Sequence, residues 1–167
     1  MTTVAARGRV MAADTQEIVG ESGVETKQLC SKLFVTSGVR DGVPQKAVIG
    51  GAGASAGIAL FVETFSRMTA CCALERQPYR DMLKDHDFVC LVLWQDGTLE
   101  AWYNSCIPLP VLEPYTAVGT GAKVALGALA AGAWVMDAVR AAGAVDLYSN
   151  DRVESIHLAA DGAITRS

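Results

Sequence analysis

Residues 1–14 read as two short strands around a tight turn. Val4 and Ala6, then Val10 and Ala12, are spaced with the period of two shown by half-buried strands, and Arg7-Gly8 supplies the turn. The first strand begins directly after Met1, which puts this end of the chain in a sheet rather than on a loose tail. Removal of Met1 leaves Thr2 with a hydroxyl and a free α-amine on one residue, a nucleophile carrying its own base. Retention of Met1 leaves no such amine. A threonine at position 2 is ordinary by itself. It gains meaning from Asp14 at the end of a strand, Lys32 at the head of another, and the small-residue junction Gly50-Gly51-Ala52-Gly53.

Residues 15–31 are polar, contain Gly20 and Gly23, and read as a loop with a short strand near 16–19. Residues 32–36 and 45–49 read as strands around a turn over 38–44, and Gly50 to Gly53 as a turn of small residues. A helix is expected over 55–69. Ile58, Phe61, Val62 and Phe65 fall on one face, with Glu63 and Arg67 paired on the other. Residues 71–85 are irregular, with Pro78 and a short helical turn. Residues 88–94 and 98–103 form a hairpin across Gln95-Asp96-Gly97. Three prolines make 107–114 an extended connector, and 115–118 is a strand ahead of Gly119-Thr120-Gly121. Two Ala-rich helices, 122–131 and 133–142, are punctuated by Gly132. Residues 146–151 are a turn or helix end, and strands at 152–158 and 163–166 close the chain. Strands, helix, hairpin, helices and strands in that order indicate α+β or layered αββα rather than regular βαβ.

A chain of 167 residues fits one domain, 1–167, with a substantial core. Mean hydropathy is positive, yet no apolar run approaches the roughly eighteen residues of a membrane span. The richest stretch, 124–136, is mostly Ala and Gly and suits tightly packed helices. No basic segment precedes an apolar one at the start, so no signal peptide and a cytoplasmic chain are expected. A net charge of −4 without a Lys/Arg cluster argues against nucleic-acid binding. The five cysteines show no CxxC spacing and are expected to be reduced and mostly buried. A thiol enzyme built on Cys71-Cys72 lacks a nearby histidine, since His86 and His157 are the only two.

Thr2-Thr3-Val4, Met11-Ala12-Ala13-Asp14, Lys32-Leu33-Phe34-Val35, Ile49-Gly50-Gly51-Ala52-Gly53 and Val118-Gly119-Thr120-Gly121 occur in this order. Together they resemble the proteasome β-subunit and HslV family of N-terminal-threonine (Ntn) hydrolases, and most of all its short, phage-type members, over residues 2–158. The resemblance implies a four-layer αββα sandwich, two antiparallel sheets flanked by helices. It implies that Thr2 attacks an amide carbonyl, with its own amine as base. Lys32 matches the family's lysine, whose ammonium disfavours a second positive charge on that amine. Asp14 matches the aspartate that orients the lysine. Read alone, Asp14 is a strand-end turn residue and Lys32 a solvated strand start, and Lys27 is a competing lysine. Gly53 matches the oxyanion-binding N–H, and is also where a tight turn calls for glycine.

Thr120 matches a position usually filled by serine, whose hydroxyl bonds near the amine. Gly143, Asp146 and Ser149 fall where some relatives place a loop for a monovalent cation such as Na+, although helix-end capping also accounts for them. No cofactor is required by the resemblance. The partners it implies are a peptide or unfolded-protein substrate, further copies in a homo-oligomeric ring, and an ATPase unfoldase or a phage assembly partner. The location would be host cytoplasm for a phage-encoded chain. The competing function is a catalytically silent structural or assembly protein that keeps the fold, suggested by the Ala-rich helices and by the case of a retained Met1.

Overall fold

The computed structural model of the protein describes residues 2–21, 24–146 and 149–167. The state of Met1 and the side chain of the competing Lys27 lie outside what is described. Among the described residues, two five-stranded antiparallel sheets lie between two pairs of helices.

The first sheet has the order β10-β1-β2-β11-β12. It is built from β1 (Thr3–Arg7), β2 (Val10–Asp14), β10 (Tyr115–Gly119), β11 (Val153–Leu158) and β12 (Ile164–Arg166). The second runs in sequence order through β5 (Leu33–Arg40), β6 (Val43–Gly53), β7 (Phe88–Trp94), β8 (Leu99–Tyr103) and β9 (Leu109–Pro110). Helices α1 (Ser55–Ala70) and α2 (Gln77–Leu83) accompany the second sheet, and α3 (Ala122–Ala130) and α4 (Val135–Val145) the first.

Side-chain alternation explains the layering. In a strand, successive residues point to opposite faces. Val4, Ala6, Met11 and Ala13 meet Leu33, Val48, Leu91 and Leu93 in the core between the sheets. The intervening Ala5 and Ala12 face α3 and α4, packing with Ala125, Leu129, Ala138, Val139 and Ala142. Ile49, Cys90, Val92 and Trp94 turn the other way, toward Phe61, Phe65 and Met68 of α1. The central strands are thus apolar on both faces, as expected for sheets buried on both sides. The α3–α4 side is lined with alanine, which lets helix and sheet backbones approach closely. The α1 side is filled by aromatic rings, with Phe61 5.5 Å from Phe65, 5.8 Å from Phe88 and 5.7 Å from Trp102.

Two segments depart from expectation. The short strand expected near 16–19 is present and extends as β3 (Gln16–Glu21), but the expected loop after it contains β4 (Val24–Leu29), and the two pair from Gln16↔Leu29 to Glu21↔Val24 as a separate two-stranded sheet. A hairpin with many polar residues carries little apolar alternation to announce it. The run Gly50-Gly51-Ala52-Gly53 is not a turn but the end of the long strand β6. Glycine is required there by proximity. A Cβ on Gly50 would lie 2.6 Å from both Met11 and Val4, and one on Gly51 2.6 Å from Ile58. Helix α4 also starts and ends later than expected, at Val135 and Val145. The five cysteines are free, but only Cys90 and Cys106 are buried; Cys30 and Cys71 are half-buried and Cys72 is exposed. No described helix is long and apolar enough to cross a membrane.

Candidate active site

Thr2 sits directly before β1, an inner strand of the first sheet, where it shares a cleft with the end of β6. Its carbonyl accepts the Thr120 N–H at 3.0 Å. The next residue, Thr3, pairs with Gly119 of β10. This approach is tight enough to demand a glycine at 119. A Cβ there would lie 1.7 Å from the Thr2 carbonyl oxygen, and Gly119 has φ +98°. Thr2 is only 5% exposed.

Asp14, at the end of β2, is fully buried and collects three donors. Its Oδ1 accepts the Thr3 N–H at 2.7 Å. Its Oδ2 accepts the Lys32 ammonium at 3.0 Å and the Gln16 N–H at 3.1 Å. Lys32 is 7% exposed. A buried carboxylate and ammonium are tolerable together only because they are paired and hydrogen-bonded. Asp14 is therefore neither a plain turn residue nor Lys32 a solvated strand start. The same carboxylate fixes the backbone beside Thr2 and the lysine across the sandwich.

Two clefts open at this point. One, of about 360 Å³, is lined by Thr2, Lys32, Glu17, Phe34, Gly53 and Ser55 among others. The other, of about 310 Å³, is lined by Thr2, Gly53, Phe88, Tyr103 and Thr120 among others. Thr2 and Gly53 border both. Gly53 has φ +113°, and a Cβ on it would lie 2.5 Å from the Asp87 carbonyl oxygen, so the β6–α1 junction there admits only glycine without strain. The neighbouring Ala54 N–H bonds that same Asp87 carbonyl at 2.8 Å.

A second network lies behind Thr3. Its hydroxyl shares a hydrogen bond of 2.8 Å with Ser149, and Ser149 donates to Asp146 Oδ2 at 2.8 Å. The Thr120 hydroxyl donates to the same Asp146 oxygen. Thr120 also touches Thr2 through its backbone N–H. Helix-end capping accounts for the Asp146 backbone, whose N–H bonds the Ala142 carbonyl at 2.8 Å, but not for its carboxylate, which gathers Thr120 and Ser149. Gly143 lets α4 touch the following loop, since a Cβ there would lie 2.2 Å from the Asn150 carbonyl oxygen. No cluster of three His, Cys, Asp or Glu residues suited to a metal occurs among the described residues.

The structure thus brings Thr2, Asp14, Lys32, Gly53 and Thr120 together, with Asp146 and Ser149 one layer behind. Sequence reading missed Thr3, whose N–H and hydroxyl tie Thr2's strand to both networks, and Glu17 in the first cleft. Glu17 accepts a hydrogen bond from Ser55. Burial first, and Glu17 second, push the Cys30 thiol up to about 11. The hairpin carrying Glu17 was not legible, so its arrival in the cleft was not either. His86, His157, Cys71 and Cys72 line neither cleft.

The crystal structure of eukaryotic HslV from Trypanosoma brucei matches this chain at a TM-score of 0.62 and 20% sequence identity, over 92% of this chain and 96% of that one. The fold is the HslV-like, proteasome-like αββα sandwich. No protein-family model matches the sequence, and no curated protein does. At this identity the likeness is one of architecture, and any chemistry has to be argued from the residues at Thr2.

Proposed function

We propose that the protein is an N-terminal-threonine peptidase that becomes active on loss of Met1. The observation that supports this most is that Thr2 and Gly53 border two clefts beside the buried Lys32–Asp14 pair. In this reading the Thr2 α-amine takes the proton from Thr2 Oγ, directly or through one water, as Oγ attacks a peptide carbonyl. An unperturbed α-amine titrates near 8, suitable for shuttling a proton. The Lys32 ammonium disfavours a second cation on the amine and so keeps it unprotonated, able to take the Oγ proton. Asp14 holds that lysine in place. The Gly53 N–H receives the oxyanion. Collapse of the tetrahedral intermediate expels the amine half of the substrate, which takes back the proton. Water, deprotonated by the same α-amine, then cleaves the ester to Thr2 and frees the acid.

The chain supplies nucleophile, base and oxyanion donor, so the reaction as proposed calls on no cofactor. A Na+ ion near Gly143, Asp146 and Ser149 would stiffen the second network without entering a step. The substrate class is peptide or unfolded protein, fed by an ATPase unfoldase in the cytoplasm. Copies of the chain in a ring would enclose the clefts and keep folded proteins away from Thr2.

Intact mass after native expression is expected to show Met1 removed, and Thr2→Ala to lower turnover of a small peptide amide by roughly 10³-fold or more. Retained Met1 with full turnover contradicts the proposal. A second reading, an assembly protein such as a phage particle component that keeps the fold without the reaction, draws on one observation. Trp134 is 78% exposed and, with Val135 and Met136, lines a cleft of about 470 Å³ that Arg7, Asp137 and Arg140 also border. Large exposed apolar groups mark contact surfaces. That reading expects no turnover in the wild type and intact assembly in Thr2→Ala.

A further inference from the structure

Lys32 lies just before β5, outside the ladder that begins with Leu33↔Gly50. The sheet reaches it only through a long bond, 3.4 Å, from the Gly51 N–H to the Lys32 carbonyl. Something else has to hold its backbone, and Glu154 of β11 does. Glu154 Oε1 accepts the N–H of Lys32 and that of Leu33, the latter at 3.0 Å. Oε2 accepts the Ser31 hydroxyl at 2.8 Å. The side chain is 17% exposed. Arg166 of β12 completes the clip. It stands 3.8 Å from Glu154 Oε2 and donates to the Leu33 carbonyl at 3.1 Å.

The clip is registered to Asp14. Strand β11 pairs with β2 so that Val153 faces Asp14 and Glu154 faces Ala13. Two neighbouring strands of one sheet therefore hold both ends of a residue that belongs to the other sheet: Asp14 holds the ammonium and Glu154 holds the main chain. A lysine side chain has several rotatable bonds and on its own is placed poorly. Anchoring at both ends removes that freedom.

We propose that Glu154 is a positioning residue that sets Lys32 against Asp14 and Thr2. The consequence for rate rests on the peptidase reading; the clamp itself does not. Glu154→Ala releases residues 31–33 and exposes the lysine. Glu154→Gln keeps an oxygen for the same two N–H groups and preserves the clamp.

The test uses the full chain and two readouts. Acetylation of Lys32 by N-hydroxysuccinimidyl acetate, measured by mass spectrometry against the exposed Lys84 and Lys123, is expected to be about tenfold faster in Glu154→Ala than in the wild type, with Glu154→Gln within about twofold of the wild type. In turnover of a peptide amide, kcat of Glu154→Ala is expected to fall about tenfold with KM within about twofold, because misplacing a catalytic group costs rate rather than binding, and Glu154→Gln restores it. Glu154→Asp, one methylene short, replaces the alanine variant if that fails to fold. Unchanged Lys32 labelling, or a glutamine variant as labile as the alanine one, overturns the proposal. So does a labelling contrast with kcat unchanged in an active enzyme. A labelling contrast in a wild type without turnover upholds the clamp and contradicts the peptidase reading instead.

Discussion

Gly119 shows how far single residues are committed to placing Thr2. Its φ of +98° is one that L side chains rarely adopt, and a Cβ would stand 1.7 Å from the Thr2 carbonyl oxygen. Nothing flexible can yield, because the obstacle is main chain. Gly119→Ala must therefore displace the Thr2 main chain. Its turnover is expected to fall at least 100-fold, with stability lower by about 1 kcal/mol or more, read from kcat and a urea midpoint. Wild-type kcat in that variant would show that the close approach is incidental. At this scale the sequence carried Thr2, Asp14, Lys32, Gly53 and Thr120 as an ordered set of short motifs. It did not carry Glu154 or Glu17, because a carboxylate on a strand reads as a solvated face until the partner segment is known. Asp146 and Ser149 were legible as a helix end or a cation loop but not as partners of Thr3 and Thr120, since Thr3 lies on β1 and Thr120 in the turn after β10.

Elements were legible in proportion to their apolar pattern. Helix α1 and strand β7 have dense hydrophobic spacing and lie close to where the sequence puts them. The β3–β4 hairpin lacks such a pattern, and Gly20 in β3 and the glycines of β6 imitate loop punctuation. The helix α1 layer depends on ring packing, and Phe61 is its centre, fully buried among Phe65, Phe88 and Trp102. Phe61→Ala is expected to cost about 3–5 kcal/mol in urea unfolding, through lost transfer energy and the cavity left behind. A loss below about 1 kcal/mol would mean that α1 is not seated on the second sheet as described.

For the molecule as a whole, the layer order follows from strands that are apolar on both faces, and this much can be read from Val4–Ala6, Met11–Ala13 and the 88–94 run. What the layers do is less evident from sequence, because the site is assembled from strand ends of two sheets and one helix junction. The central claim is that Thr2, freed of Met1, uses its own amine and hydroxyl. The most direct measurement is the mass of the N-terminal peptide after brief reaction with a β-lactone, which acylates a nucleophilic hydroxyl. One acyl group is expected on Thr2, on chains that begin at Thr2 and on none that retain Met1. An adduct on another residue, or labelling of Thr2 that is indifferent to Met1, would contradict it.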